Sequence, residues 1–132
     1  MDDALTERIA EAIHDGWWET MVEDGYTLGP RDDTRRTHPH LRPWRELPDE
    51  NNEQDRYQAR KVLALLRTNA ITSAADIARA IHDSWVQYVV VSGHEDHPHA
   101  HQAWDEDARG KREHLRQAAK VLEVWQAQGA ER

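Results

Sequence analysis

Two histidine–tryptophan pairs have the residue types and the spacing to contact a flat ligand. Trp17 follows His14 by three residues, and Trp85 follows His82 at the same interval. An indole has a large face that can stack on a planar group, and an imidazole can donate or accept a hydrogen bond. The same spacing also suits residues on the apolar face of a helix. A ligand site and a buried core are therefore both open interpretations.

Three arginines fall within the six residues 31–36, which read RDDTRR. An arginine guanidinium suits phosphate or carboxylate oxygens and often contacts them through two hydrogen bonds. The two aspartates could also hold the arginines in local salt bridges that order the loop. We expect a structural role for Arg31 and Asp32, with the aspartate also able to orient an arginine, and an anion-binding role for Arg35 and Arg36.

Four histidines crowd residues 94–101 together with Glu95 and Asp96. Imidazoles and carboxylates suit zinc or nickel. The spacing matches no helical metal motif, however, because Pro98 interrupts the helix. We predict no dedicated metal site and expect only adventitious metal binding.

No catalytic motif is evident in the chain. It contains no Gly-x-Ser-x-Gly elbow, no P-loop, no dinucleotide-binding fingerprint and no cysteine nucleophile. Pairs of acidic residues are abundant, but on charged helices they usually form solvated faces. The sequence therefore predicts a protein that is not an enzyme and that has no cofactor.

Composition narrows the class of protein further. The chain has 132 residues, with 17 Lys+Arg against 25 Asp+Glu and a formal net charge of −8. This acidic balance argues against a partner that is a nucleic-acid polymer. The first residues lack a signal-peptide pattern, and no apolar run approaches the roughly 20 residues that span a bilayer. We expect a cytoplasmic protein without a membrane partner, and we note six Trp beside no Phe.

The chain contains an internal repeat. Residues 9–17 read IAEAIHDGW, and residues 77–85, 68 positions later, read IARAIHDSW. A second match aligns the His-Pro-His of residues 38–40 with that of residues 97–99, now 59 positions later. The second copy is therefore shorter, and the stretch that it lacks falls within residues 26–37.

This repeat predicts one domain over residues 1–132 with two copies, at about 4–69 and 72–127. Each copy contains two helices around an irregular middle, so the fold class is all-α. Two equal units facing each other form two helix pairs related by a pseudo-two-fold axis. The long loop rich in Pro and Gly, residues 25–48, belongs to the first copy.

Local signals predict where the helices begin and end. Gly25 and Gly93 are expected to stop the first helix of each copy. Ser73 and Asp76 form a capping box at the start of the third helix. Residues 86–91 have strand propensity, but the repeat aligns them with a helical segment, so we predict a helix there.

Apolar spacing predicts which positions face the core. Trp44 and Trp104, which follow the His-Pro-His of each copy, are expected to pack over the helix pairs. The helical core positions are Leu5, Ile9, Ala12, Ile13, Ala59, Val62, Leu63, Leu66, Ile77, Ala80, Ile81, Leu115, Ala118, Leu122 and Trp125.

An ordered series of motifs resembles the ryanodine-receptor repeat (RyR) domain, and small stand-alone members from prokaryotes and viruses in particular. The series runs from IHDGW through GYTLGP, RDD, THPHL and PW to LP, and the resemblance covers about residues 7–67. The second copy, about 75–126, matches weakly by itself. Leu28 replaces the usual aromatic residue, and residues 68–70 replace a frequent Gly-Tyr.

The resemblance implies a tandem helical unit that holds an adenine nucleotide or an ADP-ribose-like signal between its halves, in some members as part of defence signalling. Carried over, His14, Trp17, His82 and Trp85 form the clamp. The two indoles would stack on the base, at roughly 1–3 kcal/mol each. The histidines would orient the base, and an arginine of the loop would meet the phosphate.

A second function class stays open. The chain could instead be a protein-interaction module without a small-molecule ligand, such as a homodimer formed through exposed tryptophans and through Val90 and Val91.

Overall fold

The computed structural model describes residues 2–91 and 108–130 of the chain. These residues form four helices: α1 (Asp2–Glu23), α2 (Asp49–Arg67), α3 (Ala74–Val91) and α4 (Ala108–Ala130). A single turn of 3₁₀-helix at Trp44–Glu46 precedes α2. The predicted all-α class is confirmed, and so is the helical assignment of residues 86–91.

The four helices surround one core. α1 packs against α2 and α4, and α3 packs against the same two helices, so each helix has two main neighbours. Full burial of one such aliphatic side chain contributes about 1.5–3 kcal/mol. The largest fully buried apolar side chains are Ile9, Ile13, Val62, Ile77, Ile81 and Val121.

Two buried glutamines join the copies in a reciprocal way. Gln58 Nε2 of α2 donates to the carbonyl oxygen of Ile81 at 3.3 Å. Gln117 Nε2 of α4 donates to the carbonyl oxygen of Ile13 at 2.9 Å. The glutamines are 59 residues apart and the isoleucines 68, which are the two offsets of the repeat. This reciprocity supports the pseudo-two-fold relation, which remains a prediction.

Two of the predicted helix ends are confirmed. Gly25 has a φ of +90°, and its N–H donates to the carbonyl of Val22 while the N–H of Tyr26 donates to Met21. At the start of α3, the N–H of Asp76 donates to Ser73 Oγ at 3.1 Å. Gly93 lies outside the described residues.

The long loop contains a small sheet that the sequence analysis did not predict. Strand β1 (Thr27–Leu28) pairs in parallel with β2 (Thr37–His38). The chain turns between them because Asp32 Oδ1 accepts the backbone N–H groups of Thr34 and Arg35. A side chain that bonds the backbone two and three residues ahead forms such a turn without any regular element.

One predicted core face is wrong by a single position. Leu115 is 43% exposed, whereas its neighbour His114 is buried. Polar side chains occupy part of the inner face of α4, since Gln117 is buried there as well. Apolar spacing alone therefore selected the wrong residue, whereas Ala118 is buried and Trp125 packs against the core as predicted.

Trp44 is buried in the core at 3% exposure, as predicted. Trp104 and the histidine-rich residues 94–101 lie outside the described residues. Among the helices that the structure describes, none is long and apolar enough to cross a membrane.

Candidate functional site

The indole of Trp17 lies beside histidine rings from α1 and from the loop. Its ring centroid is 5.4 Å from that of His14 and 5.0 Å from that of His38, and the His38 and His40 centroids are 5.0 Å apart. We call these four residues the imidazole–indole cluster. The α1 helix supplies two of them one turn apart, and the β1–β2 pairing brings the other two against it.

Hydrogen bonds hold each imidazole of the cluster in one orientation. His14 Nε2 lies 2.8 Å from the carbonyl oxygen of Arg42, so this nitrogen carries the proton. The backbone N–H of His40 donates to His38 Nδ1 at 3.0 Å. The His40 ring in turn accepts from Asn51 Nδ2 at 2.9 Å. His38 therefore keeps its own proton on Nε2, and that donor has no partner within residues 2–91 and 108–130.

The imidazoles of the cluster are neutral near pH 7. The pKa of His38 is lowered to about 4, mainly by burial and also by the neighbouring His40 and Arg31. Burial is also the main cause that lowers the pKa of His14 and of His40. Neutral rings can contact a base by stacking and hydrogen bonding without a charge of their own.

The three arginines of the loop have different surroundings. Arg36 Nη1 donates to the carbonyl oxygen of Asp24 at 2.8 Å, just after the end of α1. Arg35 forms an exposed pair with Asp32, with 3.7 Å between Nε and Oδ2. Arg31 is exposed and lies close enough to lower the pKa of His38 and of His40. Among the described residues it forms neither a hydrogen bond nor an ion pair.

These contacts redistribute the expected roles of the loop. Asp32 orders the turn, as expected, but Arg36 has a structural contact where we expected an anion-binding role. Arg31 is the arginine of this loop whose charge acts on His38 and His40, and within the described residues it pairs with no carboxylate. The pattern RDDTRR could not distinguish these roles, because Arg31 and Arg35 both lie within three residues of an aspartate.

The second histidine–tryptophan pair has a different environment. His82 is 3% exposed, and its ring packs edge-on against His114 at 5.4 Å. His114 Nδ1 lies 2.7 Å from Gln117 Oε1 in the core. Within the described residues, no ring contact or hydrogen bond joins Trp17 to Trp85. The ring contacts thus place His14 with Trp17 and His82 with His114, and a clamp formed by both pairs stays a prediction.

Two residues of the cluster, His38 and His40, and the His40 partner Asn51 were missing from the predicted site. His38 and His40 were noted only as markers of the repeat, although two histidines beside a proline were a usable signal. Asn51 had no signal, since its role depends on the way that α2 meets the loop. Within residues 2–91 and 108–130, no group of three or more His, Cys, Asp or Glu side chains could hold a metal ion.

A partly buried carboxyl group, that of Asp55, lies beside the core residue Trp44. Trp44 Nε1 donates to Asp55 Oδ2 at 3.1 Å, and the Arg56 guanidinium lies 5.3 Å from the centre of the Trp44 ring. Burial raises the pKa of Asp55 to about 7, while the Trp44 hydrogen bond and the charge of Arg56 act against this rise. Asp55 is not among the site residues predicted from the sequence.

The model of the RyR domain family matches residues 2–75. This range is more than half of the chain. It contains α1, the loop and α2, which are the elements that form the imidazole–indole cluster.

Proposed function

The chain belongs to the RyR domain family, and from this premise we propose that it is a non-enzymatic protein that binds an adenine nucleotide or an ADP-ribose-like signalling molecule. The base stacks on Trp17, and Arg31 meets the phosphate. Trp85 supplies the ligand contact from the second half of the chain. The process that this binding serves is cytoplasmic nucleotide signalling, including defence.

The observation that carries the proposal is an indole beside two unused donors. Trp17 is only partly buried and lies against His38, whose Nε2–H has no partner among the described residues. The exposed Arg31 guanidinium is near the same imidazole. Stacking, a neutral donor and a cation are the three contacts that a base joined to a phosphate requires.

The buried histidines support this site from inside. His14 is 4% exposed, and its Nε2 is engaged by the Arg42 carbonyl, so it orients Trp17 and the loop. His82 is equally buried and packs on His114. We therefore assign both histidines as positioning residues and not as direct ligand contacts.

Calorimetry with adenosine, ADP, ATP and ADP-ribose tests the proposal. We expect Arg31→Ala to weaken ADP binding by about ten-fold and adenosine binding much less, because only ADP has a phosphate for the guanidinium. Arg79→Ala is the matched control, since it removes an exposed arginine of α3 outside the site. Trp17→Ala should weaken all four ligands.

Two results would contradict the proposal. One is the absence of binding at millimolar ligand. The other is unchanged binding when Trp17→Ala is combined with Trp85→Ala in a variant whose circular dichroism shows a folded protein. Release of product from any of the four ligands over time would contradict the non-enzymatic part of the proposal.

The alternative function is association through exposed apolar side chains. Val90, near the end of α3, is 48% exposed. The side chain of Val91 lies outside the described residues. A mass that doubles with protein concentration in light scattering, and that falls back in Val90→Ser, would favour a homodimer.

A further inference from the structure

A groove of about 510 Å³ lies between α1 and α4, on residues that the nucleotide proposal does not use. Trp18 and Val22 form its apolar part, and Val22 is 54% exposed. Clefts of roughly 300–1,000 Å³ are typical of small-molecule sites. The groove therefore has the size and the apolar surface to hold a small organic molecule.

The positive charges along the groove already have partners. Lys120 Nζ lies 2.8 Å from Glu19 Oε1. Arg116 pairs with Glu23 and lies 3.8 Å from Glu19. The two cations that α4 places along the groove are thus neutralised by carboxylates of α1, and an anionic ligand would have to compete with those carboxylates.

One negative charge in the groove has no such partner. Asp15 lines the groove one turn before Glu19 and is partly buried. In the part of the chain that the structure describes, it forms neither a hydrogen bond nor an ion pair. A partly desolvated carboxylate is stabilised by an added cation, because its lost contacts with water are then replaced.

Burial of Asp15 affects its protonation as well. Burial is the main cause that raises the pKa of its carboxyl group, and the charge of Glu11 adds to the effect. Lys120 acts in the opposite direction and Glu19 in the same direction as burial. These are the charged groups that face Asp15 from α1 and α4, and a bound cation would favour the ionised form.

We propose that this groove binds a small organic cation, with a primary ammonium group on the Asp15 carboxylate and an apolar body on Trp18 and Val22. The excess of one carboxylate over the paired charges sets the sign of the ligand. The indole sets its shape, because a flat or branched apolar body can lie on the ring.

This site is distinct from the imidazole–indole cluster. Trp18 lines the groove and Trp17 does not, although both indoles pack on the His14 ring, at 5.9 Å and 5.4 Å between centroids. Variants of Trp17 should therefore leave the groove intact, and the two proposals can fail independently.

Calorimetry of the full chain with phenethylammonium at pH 7.5 tests the proposal, with phenylpropionate as an anion of similar shape. We expect Asp15→Asn to weaken phenethylammonium binding by about ten-fold or more, the usual effect of losing one charge-assisted hydrogen bond. Glu123→Gln is the matched control, because it removes an exposed carboxylate of α4 outside the groove. Trp18→Leu should weaken binding while keeping the charge.

Three outcomes would overturn the proposal. They are the absence of phenethylammonium binding by the unaltered protein at millimolar concentration, equal binding of phenylpropionate, and equal loss in Asp15→Asn and Glu123→Gln. A dimer in light scattering that Asp15→Asn dissociates would also overturn it, since a second copy would then occupy the groove. If Trp18→Leu fails to fold, the comparison of Asp15→Asn with Glu123→Gln still decides the question.

Discussion

Gly16 and Ser84 hold equivalent places in the two copies, yet their surroundings differ in the space available. A Cβ atom on Gly16 would lie 2.7 Å from the Cα atom of Gln117. Ser84 has a side chain, and its Oγ donates to the Ile81 carbonyl at 2.9 Å. The contact between α1 and α4 thus has no room for a side chain at this place, whereas the equivalent place on α3 holds one.

The two repeated segments therefore keep the same kind of hydrogen-bond partners, while the space for a side chain between the helices differs. The bond from Gln117 to Ile13 measures 2.9 Å and the bond from Gln58 to Ile81 measures 3.3 Å. One glycine in place of a serine is enough to let two helices approach until backbone meets backbone.

The largest effect is expected from Gly16→Ala. In an exposed helix this change stabilises by about 1 kcal/mol, but here the added methyl group meets the backbone of α4. We expect a loss of about 3 kcal/mol in the free energy of unfolding, the upper range for an overpacked core. Urea titration measures it, with Ser84→Ala as the equivalent change in the other copy.

Ser84→Ala should cost no more than about 1 kcal/mol, since it removes one hydrogen bond to a carbonyl that is already bonded. Equal losses in the free energy of unfolding at the two positions would show that both helix contacts accept an alanine side chain equally well. That result would contradict the difference described between them.

A second contrast concerns Asp55 and His114. These titratable groups hold equivalent places in the second helix of each copy. The folded pKa of Asp55, about 7, lies above its value of 3.8 in an unfolded chain. The folded state therefore binds the proton more tightly than the unfolded chain does. The stability that this proton binding contributes is present below pH 3.8 and is lost as the pH rises to about 7. Asp55→Asn keeps an acceptor for the Trp44 N–H and removes this loss.

We expect Asp55→Asn to raise the free energy of unfolding at pH 8, relative to the unaltered protein, by on the order of 2 kcal/mol. The gain should shrink as pH falls towards 4. His38, whose folded pKa of about 4 lies below 6.5, acts in the opposite direction, because stability from its neutral form is lost as pH falls from 6.5 to 4. A gain in the free energy of unfolding that does not change with pH would refute the raised pKa assigned to Asp55.

The smallest contrast is expected between the two bridging glutamines. Gln117→Met should cost about 1–2 kcal/mol, because Gln117 contacts both the Ile13 carbonyl and His114 Nδ1. Gln58→Met should cost less, about 0.5–1 kcal/mol, since its one bond to the other copy is longer. Denaturant titration of each variant and of the pair measures both values, and a larger loss at Gln58 would reverse the interpretation.

Much of the fold could be predicted from local signals. Gly25 stops α1 because glycine tolerates a φ of +90°, and Ser73 caps α3 through a bond to the backbone three residues ahead. Repeat alignment showed that residues 86–91 are helical in spite of their valines, since the equivalent residues of the first copy follow a helical pattern. The glycine and serine signals act within a few residues, and the repeat shows as matching residue types, so the sequence contains both directly.

The inner face of α4 and the contents of the site could not be predicted in the same way. Leu115 points outward while His114 packs against His82 of α3 and Gln117 donates to the Ile13 carbonyl of α1, and partners from other helices do not show in apolar spacing. For the same reason the pattern of the loop did not distinguish Arg31 from Arg36. The carbonyl that engages Arg36 belongs to Asp24, twelve residues earlier in the chain.

The family, the helical class, two of the helix ends and the His-x-x-Trp pairs could be read from the sequence alone. The tertiary structure was needed to show that Trp17 lies among the imidazoles of the loop while His82 packs inside the core, and that the charge of Arg31 acts on His38. It also decided that Asp15 lines a groove beside Trp18. The physical reason is that local spacing fixes backbone conformation, whereas burial, pKa and the choice of charge partners depend on atoms that distant segments bring together.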